Sequence, residues 1–511
     1  MIKLVKKIKN NPIIVAFILV SLFSKGTGFL REVVIAAKLG ASFEADALIL
    51  VTTIPTVIFG GIAAAIGINA VPDYFKVKNK RIYMKEIFSL ISYIGIFVGL
   101  IVFIFADQIT YFFAGGMNKE QLEYISGLTR ISSLSTIFIG LNSVGVNFLN
   151  AQGKSIVSSL LPIITNIIMI ISILFYNVIG LSGVIWVIIF ANILQFIIQN
   201  CILMKVGKIT HRRNFLSYKG LDKHKTLLVI AFPTFLALSL DQILPIFERV
   251  FASYLEIGSL ARLNYAHRLD GLLIGIIGGV ITAIIYPKLA KNINDQEKLS
   301  SICQKFIWLA SLLLLPIISI LILNSRNIVM LVFQRGNFTA YDTEITSNIF
   351  MVFLFSTFFY IIRSFGIYIL ISFKKTKIPL LSSVISVFTF IVISSLFVKE
   401  FGIYALAIGG SSSVVISSMY IIIKCKKYVV WGFKKYKHIL TMNILIISFL
   451  NILFLFINKQ LNDFVNEYIL VWCLINSLLY VIIFAGFIKI VAKILGLRKI
   501  GMNEKVVDPR G

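Results

Sequence analysis

SIVSSLLPIITNIIMIISILFY, residues 155–176, runs for twenty-two positions without a charged side chain. A helix rises about 1.5 Å per residue, so the stretch is about 33 Å long, enough to cross a bilayer core of about 30 Å. In hydrocarbon every backbone N–H and C=O must be satisfied within the protein. A run that is apolar on every face meets that demand as a helix, whereas a membrane barrel strand alternates. The same reading applies to residues 90–106, 306–323 and 441–457.

Working outward, the whole chain divides into such runs, about fourteen of them by length and hydropathy. They lie near 11–37, 45–72, 87–106, 124–150, 155–176, 180–204, 226–254, 263–287, 303–324, 344–371, 378–398, 402–423, 438–458 and 467–495. Composition agrees: 58% of the 511 residues are hydrophobic and only 14% charged, against about a quarter charged in soluble domains. The expected fold is an all-α integral membrane protein. The first run has the Lys-rich start of a signal peptide, but Ser24-Lys25-Gly26 is no small-x-small cleavage site, so an uncleaved first span is expected.

The 49 Lys and Arg residues against 22 Asp and Glu give a net charge of +27, which in a soluble chain would point to nucleic acid. Their placement points elsewhere. Lys76, Lys78, Lys80 and Arg81, then Lys205, Lys208, Arg212 and Arg213, then Lys374, Lys375 and Lys377, then Lys424, Lys426 and Lys427 fall in every second loop. Alternation of this kind follows the positive-inside rule and puts both termini in the cytoplasm. It also suits contact with anionic lipid headgroups, and no nucleic-acid partner is expected.

Arg31, Gly40 and Asp46 are matched at a constant shift of 218 by Arg249, Gly258 and Asn264, and Gly180 is matched by Gly402 at a shift of 222. Six spans separate the copies, so both keep the same orientation, and the repeat is parallel about an axis along the membrane normal. The expected organisation is an N-lobe at 1–225 with spans one to six and a polar inter-lobe loop at 205–225, a C-lobe at 226–430 with spans seven to twelve, and a terminal pair of spans at 431–511.

No HExxH, Walker loop or GxSxG occurs, and the only histidines are His211, His224, His267 and His438. The chain therefore does not read as an enzyme. Cys201, Cys303, Cys425 and Cys473 form no CxxC, so neither a disulfide framework nor a zinc site is indicated. What remains is fixed charge inside or at the edge of apolar runs, which is costly in lipid and faces a cavity or a partner. Span one carries Lys25, Arg31 and Glu32; Asp46 opens span two; Asp241, Glu248 and Arg249 mark span seven, Arg268 span eight and Arg363 span ten. The structural alternatives are snorkelling and internal ion pairs, such as Arg31 with Asp46 or Glu248 with Arg249. Cations converging on a cleft suit an anionic substrate, because guanidinium groups hold phosphate oxygens by paired hydrogen bonds. Inside a membrane, a lipid-linked diphosphate fits that description.

Several segments carry a family resemblance. Phe23-Ser24-Lys25 through Gly28-Phe29-Leu30-Arg31-Glu32 to Gly40 and Glu44-Ala45-Asp46-Ala47 form one. Tyr265-Ala266-His267-Arg268-Leu269, Phe333-Gln334-Arg335-Gly336-Asn337-Phe338-Thr339-Ala340-Tyr341-Asp342 and Thr376-Lys377-Ile378-Pro379 are the others. Together they resemble the MurJ (MviN) family, the lipid II flippases of the MOP exporter superfamily, over nearly the whole chain. Within the longest segment, Thr339 with Asp342 reads as a capping box that starts span ten.

The resemblance implies a transporter of the bacterial cytoplasmic membrane that uses alternating access. Its cargo would be an undecaprenyl-diphosphate-linked peptidoglycan precursor, and cell-wall synthesis proteins would be partners. It also implies that Lys25, Arg31 and Arg268 match cavity cations, that Asp46 matches an acid at the start of span two, and that the last two spans form a groove for the polyprenyl tail. Asn166 is a polar candidate on span five, and Glu32, Glu248, Arg249, Asp241 and Arg363 are candidates for the site or for supporting it. No organic cofactor is expected. Some members carry a sodium site to which Asp241 would belong, but spans eleven and twelve here offer serines, Ser382, Ser383, Ser386 and Ser411 to Ser413, which argues against sodium coupling. The family often has an arginine after the span-two proline, where this chain reads Thr56-Val57-Ile58-Phe59-Gly60-Gly61 after Pro55. That departure keeps open a flippase for another polyprenyl-linked oligosaccharide, and a non-transporting scaffold of cell-wall synthesis is a third reading.

Overall fold

The structure, a computed structural model, describes residues 12–206, 225–281, 285–373, 375–431, 437–460 and 469–494. Most of the loop at 205–225, with His211 and His224, falls outside them. The helices are α1 (Pro12–Leu39), α2 (Phe43–Pro55), α3 (Gly61–Lys76), α4 (Lys80–Ile104), α5 (Ala106–Ala114), α6 (Lys119–Ser132), α7 (Ser135–Ala151), α8 (Ser155–Leu174) and α9 (Tyr176–Val206). There follow α10 (Lys225–Ser253), α11 (Ser259–Val280), α12 (Tyr286–Lys291), α13 (Gln296–Leu323), α14 (Ser325–Phe333), α15 (Ala340–Ser372), α16 (Lys377–Phe401), α17 (Ile403–Cys425), α18 (Lys437–Gln460) and α19 (Ile469–Ile494). No strand occurs among the described residues.

Eight helical segments among the described residues are long and apolar enough to cross a membrane, nine if α6 and α7 count as one bent span. The all-α multi-pass fold is therefore in place. Large apolar side chains such as Phe97, Phe388, Leu396 and Ile452 are each about two-thirds exposed on it, as a lipid-facing surface requires and a water-facing one avoids.

Two expected spans have breaks that hydropathy did not reveal. The run at 124–150 is the pair α6 and α7, bent by 49°. Ser132, Ser133 and Ser135 each donate a hydroxyl hydrogen to the carbonyl three residues back, and such side-chain competition for helix carbonyls bends helices. The run at 45–72 contains a π-turn, Thr56–Gly60, directly after Pro55. Pro55 cannot donate to the carbonyl of Val51, which weakens the helix there, and the π-turn begins at the next residue. Boundaries also shift: Arg262, expected in a loop, lies in the first turns of α11, and Lys38 in the last turn of α1.

The chain forms two compact units. The first comprises Met1–Leu272, Phe333–Thr346 and Leu380–Ile416; the second comprises Leu273–Val332, Ser347–Pro379 and Ser417–Gly511. In the first, α1 packs on α8, α8 on α9, and α7 lies against α3, α4 and α9. Lipid tails give helices no hydrophobic reason to associate, so close backbone approach and interhelical hydrogen bonds have to hold them. Both are present. A Cβ on Gly140 would strike the Phe59 ring and one on Gly145 the Gln199 amide, while Asn142 Nδ2 donates to Asn192 O and Gln199 Nε2 to Asn142 O, each at 3.1 Å.

In the second unit, α13, α18 and α19 share a core of Ile446, Leu450, Phe454, Tyr480 and Phe484. Ser319 donates to Asn451 Oδ1 at 2.6 Å and lies 2.9 Å from the Tyr480 hydroxyl. Asn476 Nδ2 reaches Asn324 Oδ1 at 3.4 Å.

Candidate functional site

The last carbonyls of α1 and the first N–H groups of α11 have no intrahelical partners, and the chain supplies them from far away. Gly40 and Gly258, partners in the sequence repeat, both take positive φ, +63° and +85°. A side chain there would meet the backbone of Asn337 and of Ala41 respectively. Asn337 N donates to Ala37 O at 2.9 Å, its Nδ2 to Lys38 O at 2.6 Å, and the Tyr265 hydroxyl to Gly40 O at 2.9 Å. Asp46, 2% exposed, accepts from Gly258 N and Ala261 N, both at 2.7 Å. Its carboxylate thus caps α11, an anion at the positive end of a helix. Arg262 is buried as well, with Nε 2.8 Å from Asp342 Oδ1. Asp342 also accepts from Thr339 N and its hydroxyl, and Asp342 N donates back to Thr339 Oγ1. The capping box is therefore formed, with Arg262 closing it.

These ties set α11 beside α1, and a charged cluster lies between them. Glu32, 3% exposed, receives Arg31 Nη2 at 2.7 Å, Arg268 Nε at 3.3 Å and Asn264 Nδ2 at 3.3 Å. Arg31 Nη1 donates to Asn166 Oδ1 at 3.1 Å, which fixes the amide: Asn166 Nδ2 then donates to Thr27 Oγ1, whose hydroxyl donates to Ser24 O. Arg31 Nε is buried and has no hydrogen-bond partner among the described residues. The Arg268 side chain is 48% exposed. Two guanidinium groups against one carboxylate leave an excess of one positive charge.

The cluster opens on a cavity of about 220 Å³ bounded by α1, α2, α6, α7, α8, α9 and α11. Arg31, Glu32, Asn264 and Arg268 line it on one side, and Thr52, Thr56, Ser132, Ser135, Thr165 and Asn192 on others. A second cavity of about 240 Å³ shares Asn264 and Arg268 and adds Glu248, Arg249 and His267. There His267 Nε2 lies 3.0 Å from Glu248 Oε2, and Arg249 Nη1 donates to Pro245 O at 2.9 Å.

Of the residues singled out from sequence, Arg31, Glu32, Asn166 and Arg268 come together, joined by Asn264 and Thr27, which sequence reasoning did not select for the site. Neutral amides and hydroxyls are common in membrane helices, so nothing in the sequence marked Thr27, and Asn264 stood out only as the repeat partner of Asp46. The ion pairs first envisaged give way to others. Arg31 pairs with Glu32 and not with Asp46, because both Asp46 oxygens face the backbone of α11. Glu248 pairs with His267, and its neighbour Arg249 turns back on its own helix. Lys25 is exposed on α1 and does not line the cavity; six residues before Arg31, it is rotated about 120° away from it. Arg363 belongs to the second unit, and the side chain of Asp241 lies outside those described.

Known proteins resemble this chain over most of its length. Residues 35–478 match the family described as lipid II flippase MurJ. The probable lipid II flippase MurJ of Borreliella burgdorferi is 28% identical over 80% of this chain and 82% of its own. That of Vibrio cholerae is 24% identical over 81% and 82%. A solved lipid II flippase MurJ in an inward closed conformation superimposes with a TM-score of 0.79 at 24% identity, covering 94% of this chain and 99% of that one. An inward-facing multidrug resistance MATE family transporter of the MOP superfamily gives 0.65 at 12% identity over 81% and 97%. The chain therefore belongs to the lipid II flippase MurJ family, whose members are multi-pass transporters of the bacterial inner membrane and not enzymes.

Proposed function

We propose that this chain moves lipid II, an undecaprenyl-diphosphate-linked peptidoglycan precursor, from the cytoplasmic to the outer leaflet by alternating access, with both termini in the cytoplasm. The observation that carries the reading is the shared carboxylate of Glu32 between Arg31 and Arg268 at the wall of a cavity. One buried acid holds two guanidinium groups in place without neutralising them, so an incoming diphosphate meets pre-oriented donors and an excess positive charge. Asn166 and Asn264 orient the pair, Asp46 holds the end of α11 on which Arg268 rides, and the polyprenyl tail would run along the terminal helices α18 and α19. Outward movement of an anion from a negative cytoplasm is favourable by about 2.3 kcal/mol per charge per 100 mV, so membrane potential alone is a sufficient source of drive. No sodium site enters this scheme.

The test is depletion rescue. Expressed in a bacterium whose own lipid II flippase is shut off, the wild-type chain restores growth, and Arg31→Ala and Arg268→Ala, at equal membrane abundance, do not. Failure of the well-expressed wild type removes lipid II as cargo, and full rescue by both variants removes the cluster as its site. The neutral Thr56 after Pro55 favours a second reading, another polyprenyl-linked oligosaccharide, which predicts the first of those failures together with restored surface polysaccharide in a strain lacking its own exporter.

A further inference from the structure

The second cavity holds a titratable pair that the diphosphate reading leaves unused. Glu248 is buried, with Oε2 3.0 Å from His267 Nε2 and Oε1 without a hydrogen-bond partner among the described residues. An ionised carboxylate can only accept, so Nε2 of the ring carries a hydrogen in that pair, and the proton that comes and goes is the one on Nδ1. The His267 side chain is 39% exposed and lines the cavity, so a proton from water can reach it. The charged groups acting on the ring are Glu248 and Arg249 from α10 and the buried Asp270 from α11. Its neighbour Arg268 leads through Glu32 to Arg31 on α1, and α2 contributes only Ile49 to this cavity.

The charges are nearly in balance. At the first cavity Arg31 and Arg268 outnumber Glu32; beside the second, Glu248 and Asp270 outnumber Arg249. Among the described residues three guanidinium groups are thus matched by three carboxylates. The sign of the whole is decided by His267, the group among them whose ordinary titration falls near neutral pH. Protonated, it adds one positive charge beside Arg268, which lines both cavities.

We infer that His267, held by Glu248, is a proton site linked to the diphosphate site, and that the ring takes up a proton when the cargo's diphosphate binds at Arg31 and Arg268. The inference rests on the diphosphate reading of the arginine cluster and adds a second ligand to it, the proton. Linkage is reciprocal: an anion that favours the imidazolium is favoured by it to the same degree. Glu248 keeps the ring at the wall, so the added charge acts on the anion through space and leaves the donors to the arginines. The sign follows. Affinity for the diphosphate is highest where His267 is protonated and falls as pH rises through its titration. A pair that only braces α10 against α11 has no such dependence.

The test uses the purified full-length protein in nanodiscs and, as probe, undecaprenyl diphosphate bearing a single sugar. A window from about pH 5.5 to 8.5 brackets a histidine titration, and this diphosphate, esterified at both ends, keeps its charge across it. The wild type is expected to bind about tenfold more tightly at the acid end, for one charge gained in a partly screened site. Calorimetry in buffers of different ionisation enthalpy is expected to show proton uptake on binding. His267→Gln keeps an N–H for Glu248 but cannot gain a proton, so its affinity should stay level with pH and its binding should take up no proton. His267→Asn, a second neutral replacement, should behave in the same way. Proton uptake or pH dependence that survives in these variants places the proton elsewhere and overturns the inference, as does wild-type binding that is level across the window. Absence of wild-type binding at every pH overturns the diphosphate reading, and this inference with it.

Discussion

A carboxylate buried between two guanidinium groups sets both their positions and their combined charge, and the two effects can be separated at Glu32. Glu32→Gln keeps acceptor geometry for Arg31 and Arg268 but removes the negative charge. Its expected effect is tighter binding of undecaprenyl diphosphate, by about tenfold for one unit charge removed at close range in a partly screened site, together with poorer rescue because release is slowed. Weaker binding would mean that Glu32 serves mainly to orient. Asp46 makes the contrasting case. It accepts two N–H groups at 2.7 Å, and Asp46→Ala should cost about 3 kcal/mol, since hydrogen bonds to charged groups contribute roughly 1.5–3 kcal/mol each, seen as a clearly lower thermal midpoint. Arg268→Ala, with a half-exposed side chain, should lose rescue while keeping its midpoint. If both variants behave alike, the division between cap and site is wrong. At this scale the arginines were legible in the sequence because charge inside an apolar run has to be accounted for. The roles of Asn264 and Thr27 were not, because a neutral polar residue shows what it holds only once its partner, here Glu32 or Asn166, is located.

Among the elements, the contact between the first turns of α11 and of α15 shows how a membrane protein fixes helix ends with buried charge. Arg262 and Asp342 are both more than nine-tenths buried and 2.8 Å apart. Removing one partner strands the other, so Arg262→Ala should cost about 3–5 kcal/mol, whereas the double replacement Arg262→Met with Asp342→Leu should recover much of it. Thermal midpoints of the two variants check this, and a double variant as unstable as the single one would show that Asp342 matters through its capping bonds to Thr339 instead. The capping box itself could be read from Thr339 and Asp342 alone, since its spacing is local. The arginine could not, because its partner lies 80 positions away. The bend between α6 and α7 was hidden for a related reason: apolarity continues through 132–135, and the serines that open the helix look like ordinary small residues of a span.

For the whole molecule, the alternation of basic loops makes a topological prediction that the helices allow to be tested with two single cysteines in a cysteine-free background. Lys78 and Asn118 are exposed at opposite ends of α4 and α5. Asn118→Cys should react with a membrane-impermeant maleimide in intact cells, and Lys78→Cys only after permeabilisation; the reverse pattern would turn the chain over. The multi-pass class was legible because hydropathy is a property of whole segments, and Gly40 with Gly258 showed through the repeat because left-handed turns select glycine. What no periodicity foretold is which distant backbones meet. The carbonyls that end α1 are bound by Asn337, 299 residues later in the chain. At about 5–20 residues per second of synthesis, the first helix waits about 15 to 60 s in the bilayer before the loop that seals its end has been made. The C-terminal end of α1 is thus among the last parts of the first unit to be completed, although it is among the first to be inserted, and a chaperone or insertase that attends this protein has to shield an unfinished helix end for most of the time the ribosome spends on it.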